Sequence, residues 1–200
     1  MSFKAYWGGQ FGNPTGVSGK IVTFLMNRMN QPMYKTVLQS ARKSGAVLDI
    51  GFGNGYMLSK LVKHSDATLY GVDISADMVV AATKRNRKVV EENKLQLAKA
   101  SVMDVPFDMQ FDQIYTINTI YFWDDLLSGL KAVYSKLKAG GEFLNVCYTK
   151  EWLNKPGFTE SYKKYAESEL LEAHTQAGFK AEIVPIKQGK SFYVRAIKVG

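Results

Sequence analysis

A glycine-rich junction at residues 46–56 constrains the fold of this chain most strongly. Residues 46–50 read Ala-Val-Leu-Asp-Ile, a short apolar run of the kind found in strands that are buried on both faces. Glycines then alternate at positions 51, 53 and 55, and apolar residues recur with helical spacing from Tyr56 to Val62. Glycines at such a junction permit positive φ angles and let a ligand lie against bare backbone. The stretch therefore predicts a strand, a ligand-binding turn and a helix.

The spacing of these glycines separates the turn from two common nucleotide-binding loops. The dinucleotide fingerprint G-x-G-x-x-G needs its last glycine where Tyr56 stands. A P-loop is excluded because no Gly-Lys-Ser/Thr follows. The spacing therefore disfavours a nicotinamide-dependent dehydrogenase, and Asp49, two positions before the first glycine, suits a positively charged ligand.

A second acidic residue, Asp73, stands near the end of the apolar run 69–74, eighteen positions after Gly55. In a strand–helix–strand unit this position is at the C-terminal edge of the sheet, where a carboxylate can accept hydrogen bonds from both ribose hydroxyls. Ser75 follows as a suitable N-cap for the next helix. Two neighbouring strands thus each carry an acid at the edge where open α/β sheets bind ligands.

These motifs resemble those of class I S-adenosylmethionine (SAM)-dependent methyltransferases of the small-molecule type. Residues 46–56 are similar to the first motif, 71–75 to the second, 101–107 to the adenine-binding motif and 111–115 to the strand after it. The four motifs stand in the order and spacing of the family. The resemblance implies a Rossmann-like, doubly wound, seven-stranded, mostly parallel sheet in the order 3-2-1-4-5-7-6, with strand 7 antiparallel and helices on both faces.

The resemblance also implies SAM as the cofactor and S-adenosylhomocysteine as the product. Asp73 would hold the ribose hydroxyls, and Asp104 would bind the adenine amino group. Asp49, Gly51 and Asn118 would surround the methionine moiety. The complete implied set of cofactor-binding residues is Asp49, Gly51, Gly53, Gly55, Asp73, Ile74, Met78, Asp104, Val105 and Asn118.

Aromatic residues near the same edge predict an acceptor pocket. Tyr121, Trp123 and Tyr148 are the candidate catalytic residues, because their π faces can line a pocket for a flat or apolar acceptor and face the sulfonium methyl. Core packing is the alternative interpretation of these side chains. The segment from Asn118 to Tyr121 lacks the two prolines of amino-methylating relatives, which disfavours adenine-N6 and glutamine-N5 methylation. Proton removal would fall to Tyr121, Tyr148, Asp124 or solvent.

The charge distribution supports an alternative acceptor. The net charge is +8, and residues 1–48 contain six basic residues and no acid. Such a segment favours RNA or protein methylation. Two observations disfavour a nucleic-acid acceptor. The sequence has no recognisable RNA-binding module, and its aromatic residues are separate from its basic residues. A non-catalytic SAM-binding protein is the third hypothesis.

Length and composition predict one domain over 1–200. The resemblance implies an N-terminal lid and helices in 1–44 and a SAM-binding core in 45–200. The glycine- and aromatic-rich residues 1–19 are the predicted lid.

No apolar run reaches about 20 residues, so no membrane span is predicted, and the expected location is the cytoplasm. One cysteine and two histidines, His64 and His174, predict no metal site and no histidine base, and both histidines are expected at helix ends or the surface. Helices are predicted over 21–29, 76–92, 123–137 and 160–176, and a strand over 142–149.

Overall fold

Seven strands form one mixed sheet in the order β3-β2-β1-β4-β5-β7-β6. The computed structural model describes residues 27–155, 157–186 and 189–200, and Phe158 through its backbone alone. β1 to β5 pair in parallel, whereas β7 runs antiparallel to both β5 and β6. The strands are β1 Ala46–Ile50, β2 Thr68–Asp73, β3 Leu95–Lys99, β4 Phe111–Ile117, β5 Leu137–Tyr148, β6 Phe179–Pro185 and β7 Ser191–Lys198. The predicted strand order and the antiparallel seventh strand are confirmed.

Helices cover both faces of the sheet, as predicted. They are α1 Gln31–Ser40, α2 Tyr56–Leu61, α3 Ala76–Arg85, α4 Arg87–Glu91, α5 Leu126–Lys136, α6 Lys150–Leu153 and α7 Glu167–Gln176, with 3-10 turns at Ile120–Phe122 and Gly157–Thr159. α1, α2 and α3 pack with one set of strand side chains, and α5 and α7 with the alternate set. In β1, for example, Val47 joins the first core and Leu48 the second, because successive side chains of a strand point to opposite faces. No helix in this described part of the chain has the length and apolar character needed to cross a membrane.

The predicted helix 76–92 is wrong in one respect, because it breaks at Asn86. The Asn86 side chain is buried, and its amide donates to the carbonyls of Gly55 and Ala82 at 3.2 and 3.0 Å. Asparagine competes with helical hydrogen bonding in this way. The break produces α3 and α4 and ties the end of α3 to the glycine turn.

Two other predicted boundaries are also wrong. The predicted strand 142–149 begins earlier, at Leu137 directly after α5, and has a register shift against β4 between Phe111 and Gln113. The predicted helix 160–176 begins only at Glu167, where the carboxylate of Glu169 accepts from the backbone N–H of Ala166. Residues 27–29 are helical, whereas residues 21–26 of that predicted helix and the predicted lid at 1–19 lie outside the described residues.

Helix α1 is anchored to the sheet through Gln113, a fully buried residue of β4. Its side-chain oxygen accepts from the N–H of Arg42 at 3.0 Å, and its amide donates to the carbonyl of Ser40 at 2.9 Å. The same amide donates to Glu142 at 2.8 Å, and Glu142 in turn pairs with Arg195 at 2.6 Å. A buried polar network of this kind holds its members in one arrangement. It fixes the C-terminal end of α1, the helix that supplies one wall of the cavity described below.

His174 lies in the last turn of α7, but it is completely buried rather than exposed. Its Nδ1 donates to the carbonyl of Leu170 at 2.7 Å, and its ring stacks on Phe143 with centroids 5.7 Å apart. Burial lowers the pKa of His174 from 6.5 to about 4. Between these two values the unfolded chain binds a proton that the folded protein does not, so stability is lost as the pH falls.

We expect His174→Leu to remove this acid sensitivity. The free energy of unfolding of the wild type should fall relative to that of the variant by about 3 kcal/mol between pH 6.5 and pH 4, from a shift of about 2.5 pKa units. Denaturant titrations at several pH values measure it. The matched control is His64→Leu at the exposed histidine, which should keep the wild-type slope. Parallel curves for the wild type and His174→Leu would contradict this account of His174.

Candidate functional site

A cavity of about 620 Å³ lies along the C-terminal edge of the central strands. Its walls come from the turns after β1, β2, β3 and β4 and from the N-terminal part of α1. Neighbouring parallel strands are about 4.8 Å apart, so the distance from β3 across β2 and β1 to β4 is about 14 Å. The cavity therefore suits an extended ligand.

The turn after β1 forms the floor of this cavity. Gly51, Gly53 and Gly55 all have positive φ, at 76°, 55° and 71°. A Cβ at Gly51 would collide with the methyl group of Thr119, and one at Gly55 would lie 2.7 Å from Ala82 Cβ. Gly51 thus allows the turns after β1 and β4 to touch, whereas Gly55 allows the turn to pack against α3. Side chains at either position would separate these elements.

Asp73, at the end of β2, holds the glycine turn in place. Its two carboxylate oxygens accept hydrogen bonds from the N–H of Gly53 at 2.8 Å and of Ser75 at 2.9 Å. The side chain is buried yet lines the cavity. Burial raises its pKa, while the two backbone hydrogen bonds lower it. Asp73 therefore has lone pairs left for a hydroxyl-bearing ligand at the centre of the cavity.

Asp49 is more deeply buried, one strand away. The hydroxyl of Tyr115 donates to its Oδ2 at 2.7 Å. Burial raises the pKa of Asp49 to about 8; the hydrogen bond from Tyr115 opposes this shift, and the charge of Asp73 adds to it. A ligand cation nearby would favour the ionised form of such a carboxyl group.

The charged residues lining the cavity all carry the same sign. Among the described residues, the lining contains no lysine, arginine or histidine, and its acidic members are Asp49, Asp73, Asp124 and Asp125. Clefts lined by charges of one sign attract ligands of the other. An overall basic protein thus carries an acidic cavity.

The rim of the cavity is apolar and open to solvent. Ile74, Met103 and Phe122 are 63%, 54% and 41% exposed, and all three line the cavity. Exposed apolar side chains that surround one opening are typical of a ligand-binding site. They follow β2, β3 and β4 respectively, so the apolar rim extends along the whole edge.

The structure brings most of the predicted cofactor-binding residues together. The predicted residues that line the cavity are Asp49, Gly51, Gly53, Asp73, Ile74, Met78, Asn118 and Trp123. The predicted residues outside the lining are Gly55, Asp104, Val105, Tyr121 and Tyr148. Val105 is buried in the core, and Gly55 packs against α3.

Asp104 reaches the cavity only through Ser101. Asp104 is exposed, and its carboxylate accepts from the hydroxyl of Ser101 at 3.0 Å. Ser101, Val102 and Met103 are the residues after β3 that line the cavity. The turn that carries the sequence motif thus lines the cavity through Ser101, Val102 and Met103 rather than through Asp104.

The hydroxyl groups of Tyr121 and Tyr148 are held in hydrogen bonds behind the cavity wall. The Tyr121 hydroxyl donates to Asn118 Oδ1 at 3.1 Å and accepts from the backbone N–H of Tyr148 at 2.6 Å. The Tyr148 hydroxyl donates to Asn30 Oδ1 at 2.9 Å. Burial raises the pKa of both tyrosines. Of the four candidates for proton removal, this placement favours Asp124 and solvent.

Trp123 belongs to a rigid turn between β4 and α5. Gly129 gives its indole room, since a Cβ there would lie 2.5 Å from the ring. Lys163 donates to the carbonyls of Trp123 and Asp124 at 2.6 and 2.7 Å. Asp125 caps α5 by accepting from Ser128 at 2.7 Å. These bonds fix the aromatic and acidic residues at this end of the cavity.

Sequence reasoning missed the contribution of the segment before β1. Asn27, Asn30 and Tyr34 line the cavity beside Asp49. The Tyr34 hydroxyl donates to Asn27 at 2.9 Å, and burial raises its pKa to about 12. Polar residues in an amphipathic helix give no sequence signal that distinguishes a cavity wall from solvent. The basic character of this segment suggested an RNA or protein acceptor instead.

Neither histidine lies at the described wall of the cavity. His64 is exposed at the end of α2 and His174 is buried beneath α7, so neither lines it. Cys147 is buried in the core. Among the residues that the structure describes, no group of three or more potential ligands could hold a metal ion.

We expect Asp49→Asn to stabilise the ligand-free protein at alkaline pH. Between pH 3.8 and about 8 the folded wild type keeps a proton that the unfolded chain has lost, so its stability falls as the pH rises. The contribution of Asp49 to the slope of the free energy of unfolding against pH is at most about 1.4 kcal/mol per pH unit, and this contribution should vanish in the variant. Asp77→Asn, at an exposed position of α3, is the control. Denaturant titrations from pH 5 to 9 measure the difference. An unchanged slope in Asp49→Asn would contradict the raised pKa.

Comparisons with known proteins agree with this geometry. The family model described as a methyltransferase domain matches residues 47–141, which include the glycine turn, Asp73 and the cavity turns up to α5. The uncharacterized methyltransferase YdaC of Bacillus subtilis is 26% identical over 163 residues, covering 80% of this chain and 86% of YdaC. Malonyl-[acyl-carrier protein] O-methyltransferase of Priestia megaterium is 30% identical over 100 residues, covering 50% of this chain and 35% of that protein. The chain thus spans most of YdaC but about a third of the second relative.

Solved structures show the same fold. A SAM-dependent methyltransferase from Aquifex aeolicus superposes with a TM-score of 0.74 at 22% identity, covering 99% of this chain and all of that one. A chain of the complex between the Haloferax volcanii Trm112 methyltransferase activator and a methyltransferase superposes with a TM-score of 0.80 at 18% identity, covering both chains completely. Sequence motifs, sheet order, cavity and family match agree, and the chain belongs to the class I SAM-dependent methyltransferases.

Proposed function

We propose that this SAM-dependent methyltransferase methylates a small, apolar acceptor without negative charge. The observation that carries the proposal is the composition of the cavity, which combines an exposed apolar rim with four aspartates, of which Asp49 and Asp73 are buried and Asp124 and Asp125 are exposed. An acceptor with carboxylate or phosphate groups would meet repulsion from these aspartates. An uncharged apolar acceptor gains from contact with the rim.

We place the cofactor across the described residues in one orientation. When bound, SAM supplies a methyl group that is activated by its sulfonium. Asp73 would hold the ribose hydroxyls, and Asp49 would face the cationic methionine half near β1 and β4. Ile74, Met78 and Met103 would pack against the uncharged adenine towards β3. The division of the lining into a carboxylate-bearing part and an apolar part supports this orientation.

The contribution of the chain to methyl transfer is orientation and exclusion of water. The bonds from Lys163 to the 123–124 backbone hold Trp123 and Asp124 beside the cavity. Trp123 and Phe122 would place the acceptor atom against the methyl group, and effective positioning of this kind accounts for much of the rate in such transfers. Asp124, exposed at the same turn, is positioned to take a proton from the acceptor where one is released.

RNA or protein methylation is the competing function, and one observation favours it. The ring of Tyr56, which lines the cavity, has the cations of Lys60 and Arg85 at 5.3 and 5.6 Å from its centroid. Aromatic and basic groups are therefore adjacent at this end, contrary to the sequence-based argument that they are separate. This arrangement suits a phosphate backbone near a stacked base.

We expect Asp73→Ala to weaken SAM binding by at least about 100-fold, because two hydrogen bonds to a carboxylate are lost. Isothermal titration with SAM, S-adenosylhomocysteine and NAD measures the affinities. Asp73→Asn keeps one acceptor oxygen, so its SAM affinity should fall less than that of Asp73→Ala. Asp77→Ala is the control for a charge near but outside the cavity, and it should bind SAM normally. Near-normal affinity in Asp73→Ala would contradict the assignment of Asp73 to the ribose.

We expect turnover of apolar, uncharged acceptors and little turnover of their anionic analogues. A hydrophobic phenol and a hydrophobic alkanethiol, each paired with its carboxylate-bearing analogue, and total RNA are the probes. The readout is S-adenosylhomocysteine formation. Each neutral probe should react at least about tenfold faster than its anionic partner, the equivalent of about 1.4 kcal/mol of repulsion. Methylation of RNA with steep salt dependence would support the competing function instead.

The variant Phe122→Ala locates the acceptor. It should lower kcat/KM for the neutral probe by about tenfold and leave SAM affinity unchanged, since Phe122 would contact the acceptor. Val80→Ala is the matched control, an exposed apolar residue of α3 that does not line the cavity. SAM binding without turnover of any acceptor would favour a non-catalytic SAM-binding protein.

A further inference from the structure

A closed ring of hydrogen bonds connects the cavity wall at the β4 end to two tyrosines behind it. Asn118 Nδ2 donates to Asn30 Oδ1 at 3.0 Å, and the Tyr148 hydroxyl donates to the same oxygen at 2.9 Å. The backbone N–H of Tyr148 donates to the Tyr121 hydroxyl at 2.6 Å, which donates to Asn118 Oδ1 at 3.1 Å. The four residues thus form a complete circuit in which both side-chain atoms of Asn118 are used.

The four members come from distant parts of the chain. Asn30 directly precedes α1, Asn118 and Tyr121 lie in the turn after β4, and Tyr148 ends β5. Asn30 and Asn118 line the cavity, whereas Tyr121 and Tyr148 lie behind them. Tyr148 is further fixed by stacking on Trp152, with ring centroids 4.0 Å apart. The ring therefore joins the helix before β1 to the carboxyl ends of β4 and β5.

Asn118 is the residue that most needs this support. Its φ of 59° is in the left-handed region, which asparagine tolerates better than most residues but which still costs free energy. Its backbone N–H donates to Val146 at 2.9 Å, and its side chain also contacts Met33 Sδ at 3.2 Å. The next residue, Thr119, occupies the space that a side chain at Gly51 would need. A displaced Asn118 would therefore disturb the contact between the turns after β1 and β4.

We propose that Asn30, Tyr121 and Tyr148 are positioning residues that hold Asn118 and thereby set the affinity for the amino-acid half of SAM. The inference rests on the cofactor orientation given under the proposed function, in which that half lies near β1 and β4. The network does not reach the residues after β3, where the adenine would lie. It therefore discriminates between ligands that carry the amino-acid half and ligands that lack it.

The test compares S-adenosylhomocysteine with 5′-methylthioadenosine, which keeps the nucleoside and sulfur but lacks the amino-acid half. Tyr148→Phe removes one hydrogen bond and keeps the stacked ring, so it should weaken S-adenosylhomocysteine binding by about fivefold. Asn30→Leu removes both bonds to Oδ1 and should weaken it by about 25-fold. Affinity for 5′-methylthioadenosine should stay within about twofold in both variants. Isothermal titration measures all values.

A double variant distinguishes a connected network from independent effects. Tyr148→Phe combined with Asn30→Leu should bind S-adenosylhomocysteine no more weakly than Asn30→Leu alone, because Asn30 has already lost its bond to Tyr148. Tyr134→Phe is the matched control, since that hydroxyl donates to Val199, outside the cavity lining. It should bind both ligands as the wild type does.

Three results would overturn the inference. If the variants bound both ligands more weakly to the same extent, the ring would have a purely structural role. If Asn30→Leu bound S-adenosylhomocysteine with unchanged affinity, the ring would have no role in binding this ligand. If the affinity losses of the two single variants multiplied in the double variant, Asn30 and Tyr148 would contribute independently to the binding of S-adenosylhomocysteine. Each of these results leaves the proposed acceptor class standing, because that class is tested by turnover. A wild-type protein that binds neither ligand would overturn both proposals.

Discussion

The structure of the site depends on the bond between the Asp73 carboxylate and the glycine turn. Through this bond the end of β2 holds the backbone of the turn that follows β1. The turn can bend towards β2 only because its glycines adopt positive φ angles. Gly51 then admits Thr119 from the turn after β4, and Gly55 admits Ala82 from α3. Three neighbouring elements thus meet around one short loop. The cavity is the space that remains between them.

Charge decides which ligand suits that space. Asp49 and Asp73 are buried at a cost in solvation, which raises the pKa of each in the ligand-free protein. A cationic ligand would recover part of this cost by favouring the ionised carboxylates. The exposed apolar rim favours apolar ligand groups at the opening of the cavity. A sulfonium cofactor and an uncharged acceptor satisfy both conditions.

The sequence predicted the fold well because its signals are local or belong to ordered motifs. The buried strands, the glycine turn and Asp73 follow from short patterns, and the sheet order follows from the resemblance. The break at Asn86 escaped prediction because it depends on a tertiary hydrogen bond to Gly55. The hydrogen bonds that join Asn30, Asn118, Tyr121 and Tyr148 escaped for the same reason: the bonded residues are up to 118 positions apart in sequence. Ser101, rather than Asp104, lines the wall through a turn geometry that composition alone does not reveal.

We propose that SAM lies across this edge with its methionine half towards β4. A crystal structure of the complex with S-adenosylhomocysteine tests it most directly. The account predicts the ribose hydroxyls on Asp73, the adenine beside Ile74 and Met103, and the amino-acid half next to Asp49 and Asn118. A reversed ligand, or one bound outside the cavity, would contradict the account.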